Sequence, residues 1–75
     1  MREEALQKLQ EIVRDAMDDD TIVLEEENAI SDYAGWDSVI HMTILATLEF
    51  EYGKEFGLDD MTGIKTIKDL VDLIE

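Results

Sequence analysis

Apolar residues recur along the chain at helical spacing, with acidic residues filling the gaps between them. Residues 3 to 17 place Leu6, Leu9, Val13 and Met17 on one face, with Ala16 and Ile12 at its edge. That i, i+3, i+4 pattern predicts an amphipathic helix. Glu3 and Glu4 lie at its start, where the helix dipole favours negative charge. Asp18, Asp19 and Asp20 end it. A second helix is predicted over 38–52, closed by Gly53 in the left-handed conformation typical of a helix stop. At 1.5 Å per residue it is roughly 22 Å long.

This second helix carries two apolar stripes. Ile44, Leu45, Leu48 and Tyr52 form one, and Val39, Met42, Ala46 and Phe50 the other, nearly opposite. A small chain has one core, so both stripes are not easily buried. The first holds more large aliphatics and is assigned to the core. The second is expected to be open at least in part, and an open apolar stripe implies docking. The competing expectation is that the preceding loop covers it.

Between the two helices, residues 18 to 37 form a connection too long to be structureless in a compact fold. Ile22, Val23, Leu24, Ala29, Ile30, Tyr33 and Trp36 predict that it packs over the helices, with a helical turn near 28–32. Trp36 fits either a core lid or an exposed contact. After a turn over 53–57, Phe56 and Leu58 are expected to return to the core. Asp59 is expected to cap a short helix near 59–63. Thr66 and Asp69 have the spacing of a capping box. They open a last helix reaching about Ile74, with Ile67, Leu70, Val71 and Ile74 inward. The expected fold is all-α: a small four-helix bundle of three main helices and one short one, with a long loop between the first two. Nothing divides the 75 residues, so 1–75 is read as one domain.

Charge narrows the function. The chain has 20 acidic against 6 basic residues and a net charge of -14. Nucleic-acid binding needs clustered Lys and Arg, so that partner is not expected. Such charge favours a soluble monomer and partners with basic surfaces. No apolar run approaches the ~18 residues of a membrane span, and no signal-like apolar segment follows Arg2-Glu3-Glu4. A cytoplasmic protein is expected. There are no cysteines. The Asp18–Asp20 run does not make an EF-hand, because Ile22 and Val23 fall where a ligand and a glycine are required. No dedicated metal site is expected.

Candidate chemistry centres on Gly35-Trp36-Asp37-Ser38-Val39. Gly35 permits a turn and Asp37 is a preferred N-cap. Ser38 then falls on the first helical residue. Its hydroxyl is accessible to another protein, at the dipole end that favours a phosphate. His41, the only histidine, lies three residues on. A Ser–His hydrolase would also need an orienting acid and an oxyanion pocket, so no catalytic residue is assigned. His41 is expected to be a half-buried spacer or a group lining the site.

The Asp37-Ser38-Val39 motif after a glycine, midway along a small acidic helical chain, resembles the Asp-Ser-Leu signature of acyl carrier proteins. The resemblance spans nearly all of the chain. It implies that Ser38 carries 4′-phosphopantetheine, that Asp37 is the motif acid, and that the protein carries acyl chains as thioesters rather than catalysing a reaction. Implied partners are a phosphopantetheinyl transferase and the enzymes that load and modify the cargo, meeting Val39, Met42, Ala46, Glu49 and Phe50. The implied setting is fatty-acid, polyketide or related biosynthesis. An aminoacyl or peptidyl carrier using the same serine, or an unmodified acidic interaction module, are the other readings. Housekeeping carriers have acids along the outer side of this helix, where Thr43 and Phe50 stand here. That departure implies a specialised carrier that docks more through apolar contact.

Overall fold

A computed structural model of the protein describes residues 2–75, apart from the side chain of Leu58. Helix α1 spans Arg2–Met17, α2 Ser38–Tyr52, α3 Leu58–Thr62 and α4 Ile67–Ile74, with one 3-10 turn at Ile30–Asp32 in the long loop. The fold is the expected all-helical bundle. Its core is made where α1, α2 and α4 meet: Leu9 and Val13, Ile44, Leu45 and Leu48, and Ile67, Leu70 and Val71 are all almost completely buried.

The centre of the α1 face differs from expectation. Ile12 is buried rather than at the edge, and Ala5 is buried with it, while Leu6 and Met17 are only half-buried. Leu9 and Val13 occupy the middle of the contact, so their flanks at Ala5 and Ile12 close against the other helices.

Helix α1 ends at Asp18, which adopts the left-handed φ of 51°. The loop that follows is ordered by polar groups of α1. Arg14 Nε donates to the Ile22 carbonyl at 2.7 Å, and Gln10 Oε1 accepts from the Leu24 N–H at 2.9 Å. These bonds let Ile22 and Leu24 be buried while Val23 faces outward, 59% exposed. Further on, the loop runs beside the start of α4. The Ile30 N–H donates to the Lys65 carbonyl, the Ile67 N–H to Asn28 and the Lys68 N–H to Glu26. Tyr33 ties the loop to itself: its hydroxyl donates to the Val23 carbonyl at 2.9 Å and accepts from Asn28 Nδ2 at 3.0 Å. The expected helical turn near 28–32 is the 3-10 turn, with the Asp32 carboxylate accepting from the Ala29 N–H.

The second half follows expectation with one correction. Gly53 closes α2 with φ 61°, a left-handed conformation that side chains disfavour. Phe56 is buried; the expected inward return of Leu58 lies outside the described residues. Asp59 does not cap α3. Gly57 is the N-cap residue, and Asp60, inside the first turn, accepts from the Gly57 N–H at 3.1 Å. Gly57 at the cap puts both Asp59 and Asp60 in the first turn of α3, and it is the Asp60 carboxylate that bonds the Gly57 N–H. At α4 the capping box is present: Thr66 Oγ1 accepts from Asp69, and Asp69 accepts from Thr66 and from Lys65. All four residues expected on its inner face are buried.

Candidate functional site

Ser38 is the first residue of α2, and the local sequence dictates how it is held. Gly35 has φ 88°, which turns the chain sharply before the helix. Asp37 is extended, and its Oδ1 accepts from the Ile40 N–H at 2.9 Å. Its carbonyl accepts the first helical bond, from the His41 N–H. Asp37 thereby fixes where α2 starts. Ser38 is exposed, and no hydrogen bond engages its hydroxyl among the described residues. Beyond the Asp37 carboxylate at the cap, the first turn of α2 contains no acidic residue.

Beside Ser38 is a shallow groove of about 250 Å³, lined by Ile30, Trp36, Asp37, Ser38, His41 and Ile64. Three segments build it: the 3-10 turn, the start of α2 and the connection between α3 and α4. Trp36 is half-buried and packed against the core, which answers in favour of a lid. Its ring lies 5.9 Å from that of Tyr33 and 6.2 Å from that of His41. The indole N–H donates to Nδ1 of His41 at 3.1 Å. His41 is half-buried, and burial pushes its pKa below the ordinary histidine value. A larger hollow, lined in part by Glu4, Lys8 and Tyr52, opens at the far end of α2. Tyr52 is 14 residues from Ser38, about 21 Å along the axis, so that hollow is no part of this site.

The outer stripe of α2 is open. Val39 is 71%, Met42 55% and Phe50 86% exposed, and Ala46 is exposed as well. The loop does not cover them. Glu49 departs from this group: it is half-buried, and its Oε2 accepts from the Phe56 N–H at 2.9 Å. Its carboxylate is committed to the turn after α2 rather than offered outward.

Ile30 and Ile64 were not singled out from sequence as walls of a site. Ile30 reads as one of several loop residues that pack over the helices and Ile64 as an isolated aliphatic in a connection, and the docking of the loop beside α4 brings both to the groove at Ser38. The Trp36–His41 bond had one legible sign, an indole just before the cap and an imidazole one turn inside. Among the described residues no group of acidic or histidine side chains could hold a metal ion, and no helix is long and apolar enough to cross a membrane.

Comparison with known proteins points to one family. The family model for the phosphopantetheine attachment site matches residues 7–74. The acyl carrier protein of Micrococcus luteus is 32% identical over 99% of this chain and 91% of its own length. That of Myxococcus xanthus is 33% identical over 97% and 92%. The solution structure of holo acyl carrier protein from Geobacter metallireducens superposes with a TM-score of 0.85 at 38% identity, covering 93% of this chain and 80% of that one. Such proteins are carriers, not catalysts, and they work with biosynthetic enzymes and a phosphopantetheinyl transferase. The chain belongs to the acyl carrier protein family, whose prosthetic group is a covalently attached phosphopantetheine.

Proposed function

We propose that Ser38 is the residue esterified with 4′-phosphopantetheine and that the protein carries acyl intermediates for a dedicated biosynthetic enzyme set. The observation that supports this is the exposed, unbonded hydroxyl on the first residue of α2, set there by the Asp37 cap. The residues around it suit the group. Ile30, Trp36 and Ile64 offer apolar walls to the alkyl portions of the arm, and Asp37 and His41 add polar edges for its amides and hydroxyl. When attached, the arm supplies a terminal thiol on which acyl groups are held as thioesters.

The chain's own part in attachment is to present an oxygen. Ser38 Oγ forms the new bond to phosphorus in coenzyme A, the pyrophosphate bond breaks, and the nucleotide portion leaves. The serine proton passes to a base of the transferase. A phosphodiester on Ser38 would lie at the N-terminal end of α2, where the helix dipole favours an anion by about 0.3–1 kcal/mol.

Docking falls to the stripe of Val39, Met42, Ala46 and Phe50. Partners matching it have an apolar patch rimmed by basic residues, since the surrounding surface is acidic. Phe50 and Thr43 stand on the outer side in place of acids, so apolar contact outweighs charge and the carrier is specialised. The protein acts as a cytoplasmic monomer. Labelling with a broad-specificity transferase and a fluorescent coenzyme A analogue, followed by peptide mapping, tests the site. Label on the peptide containing Ser38 supports it, and label elsewhere refutes it. Loading by a generic fatty-acid pathway tests specialisation: turnover equal to that pathway's own carrier would refute it.

A further inference from the structure

We propose that Trp36 and His41 together form a fixed hydrogen-bond donor for the phosphodiester on Ser38, an inference that rests on attachment at that serine. The indole N–H can only donate, and it donates to Nδ1 of His41. A ring nitrogen that accepts carries no proton. The neutral imidazole therefore holds its proton on Nε2. No hydrogen bond among the described residues engages that Nε2–H. His41 lies three residues after Ser38, so the two side chains are neighbours on one helix face, and both line the same groove.

Trp36 is itself held from behind. Its ring leans on Tyr33, whose hydroxyl is bonded to the Val23 carbonyl and to Asn28. A chain of contacts thus runs from the loop through Tyr33 and Trp36 to His41 and sets the tautomer beside the serine. His41 acts as a positioning residue. It restrains the root of the arm against the groove and takes no part at the thiol, which is at the other end of the arm.

The arrangement has an electrical consequence. Asp37 is the one charged group lining the groove among the described residues; Ile30, Trp36 and Ile64 bring none. Burial keeps the unmodified imidazole neutral near pH 7. A phosphodiester one turn away adds a negative charge and favours the imidazolium. Attachment therefore strengthens proton binding at His41, and only at pH values below its midpoint, where Nδ1 takes up that proton, does the bond from Trp36 end.

Long-range proton–nitrogen NMR of the imidazole, in unmodified and holo protein, reads tautomer and titration together. Unmodified wild type is expected to be in the Nε2–H form and to titrate below 6.5, the ordinary histidine value. In holo protein the proton should bind about threefold more tightly or better. Trp36→Phe keeps a packing ring and removes the donor; it should mix the tautomers and raise the midpoint of unmodified protein. The phosphorus resonance of holo wild type should follow the His41 titration. His41→Gln, whose amide can donate from a similar position, should keep the wild-type resonance at neutral pH, and His41→Leu should shift it. Should His41→Leu lose its helical signal, Trp36→Phe and wild type decide. Identical tautomers and midpoints in wild type and Trp36→Phe would overturn the assignment, as would a phosphorus resonance indifferent to His41. Intact mass separates the two levels. No gain of the arm removes attachment and this inference together, whereas a gained arm beside an unmoved His41 removes the inference alone.

Discussion

Leu48 and Phe50 stand two residues apart on α2, one at 0% exposure and the other at 86%. A helix turns about 100° per residue, so this spacing carries a side chain to the opposite side. The pair marks the two roles of the helix, one face holding the bundle together and the other left for partners.

Substitutions on the two faces should therefore behave differently. Phe50→Glu or Met42→Glu should leave the helical signal and melting temperature near wild type, yet cut partner kcat/KM by about tenfold or more. Leu48→Ala should instead cost about 2–5 kcal/mol of stability. Circular dichroism and a coupled turnover assay separate these outcomes. Loss of helical signal in Phe50→Glu would show the outer stripe to be structural.

The start of α4 is a second point of dependence, because the loop is bonded to it through Ile30, Ile67 and Lys68. Thr66→Ala removes the hydroxyl that accepts from the Asp69 N–H and should cost about 1 kcal/mol. Denaturant unfolding measures this. Hydrogen exchange should accelerate at Ile30 in the loop as well as in α4 from Ile67 onward, since the Ile30 and Ile67 amides share that junction.

Asp69 gives this junction a pH dependence of known sign. Hydrogen bonds from the Lys65 and Thr66 N–H groups hold its carboxyl below the ordinary value of 3.8. As pH falls the unfolded chain takes up the proton first, which favours unfolding. The contribution is complete above 3.8 and is lost as pH drops through the lower folded value. Asp69→Asn should flatten that part of the stability profile, measured against wild type by thermal melts from pH 5 downward.

Arg2 gathers Glu26, Asp72 and Glu75, joining the N-terminus to the loop and α4. It is one of 6 basic residues among 20 acidic ones. Arg2→Ala should lower the melting temperature at low salt, with the deficit shrinking as salt screens both the pairs and the excess acid. Wild type itself should gain several degrees on added salt, as self-repulsion is damped. A flat response in wild type would show that repulsion does not limit stability.

The sequence was most legible where a local rule acts alone. The limits of α2 follow from Asp37 and Gly53, and the α4 cap from Thr66 and Asp69, because each depends on backbone groups a few residues away. The two stripes of α2 follow from periodicity. Legibility failed where the answer depends on what arrives from a distance. Ala5 is buried because other helices close over it, and its small side chain gives no sign of that. Glu49 reads as an outward acid until the turn brings the Phe56 N–H to it. Trp36 could not be placed until Tyr33 and His41 were seen on either side. Within the site, Ser38 and Asp37 were legible as a motif, while the walls at Ile30 and Ile64 exist only after the loop has docked.

Intact mass after coexpression with a broad-specificity phosphopantetheinyl transferase tests carriage on Ser38. Wild type should gain the mass of one phosphopantetheinyl group, and Ser38→Ala, with unchanged helical signal, should gain none. An unmodified wild type, or a Ser38→Ala protein that still gains the group, would contradict it.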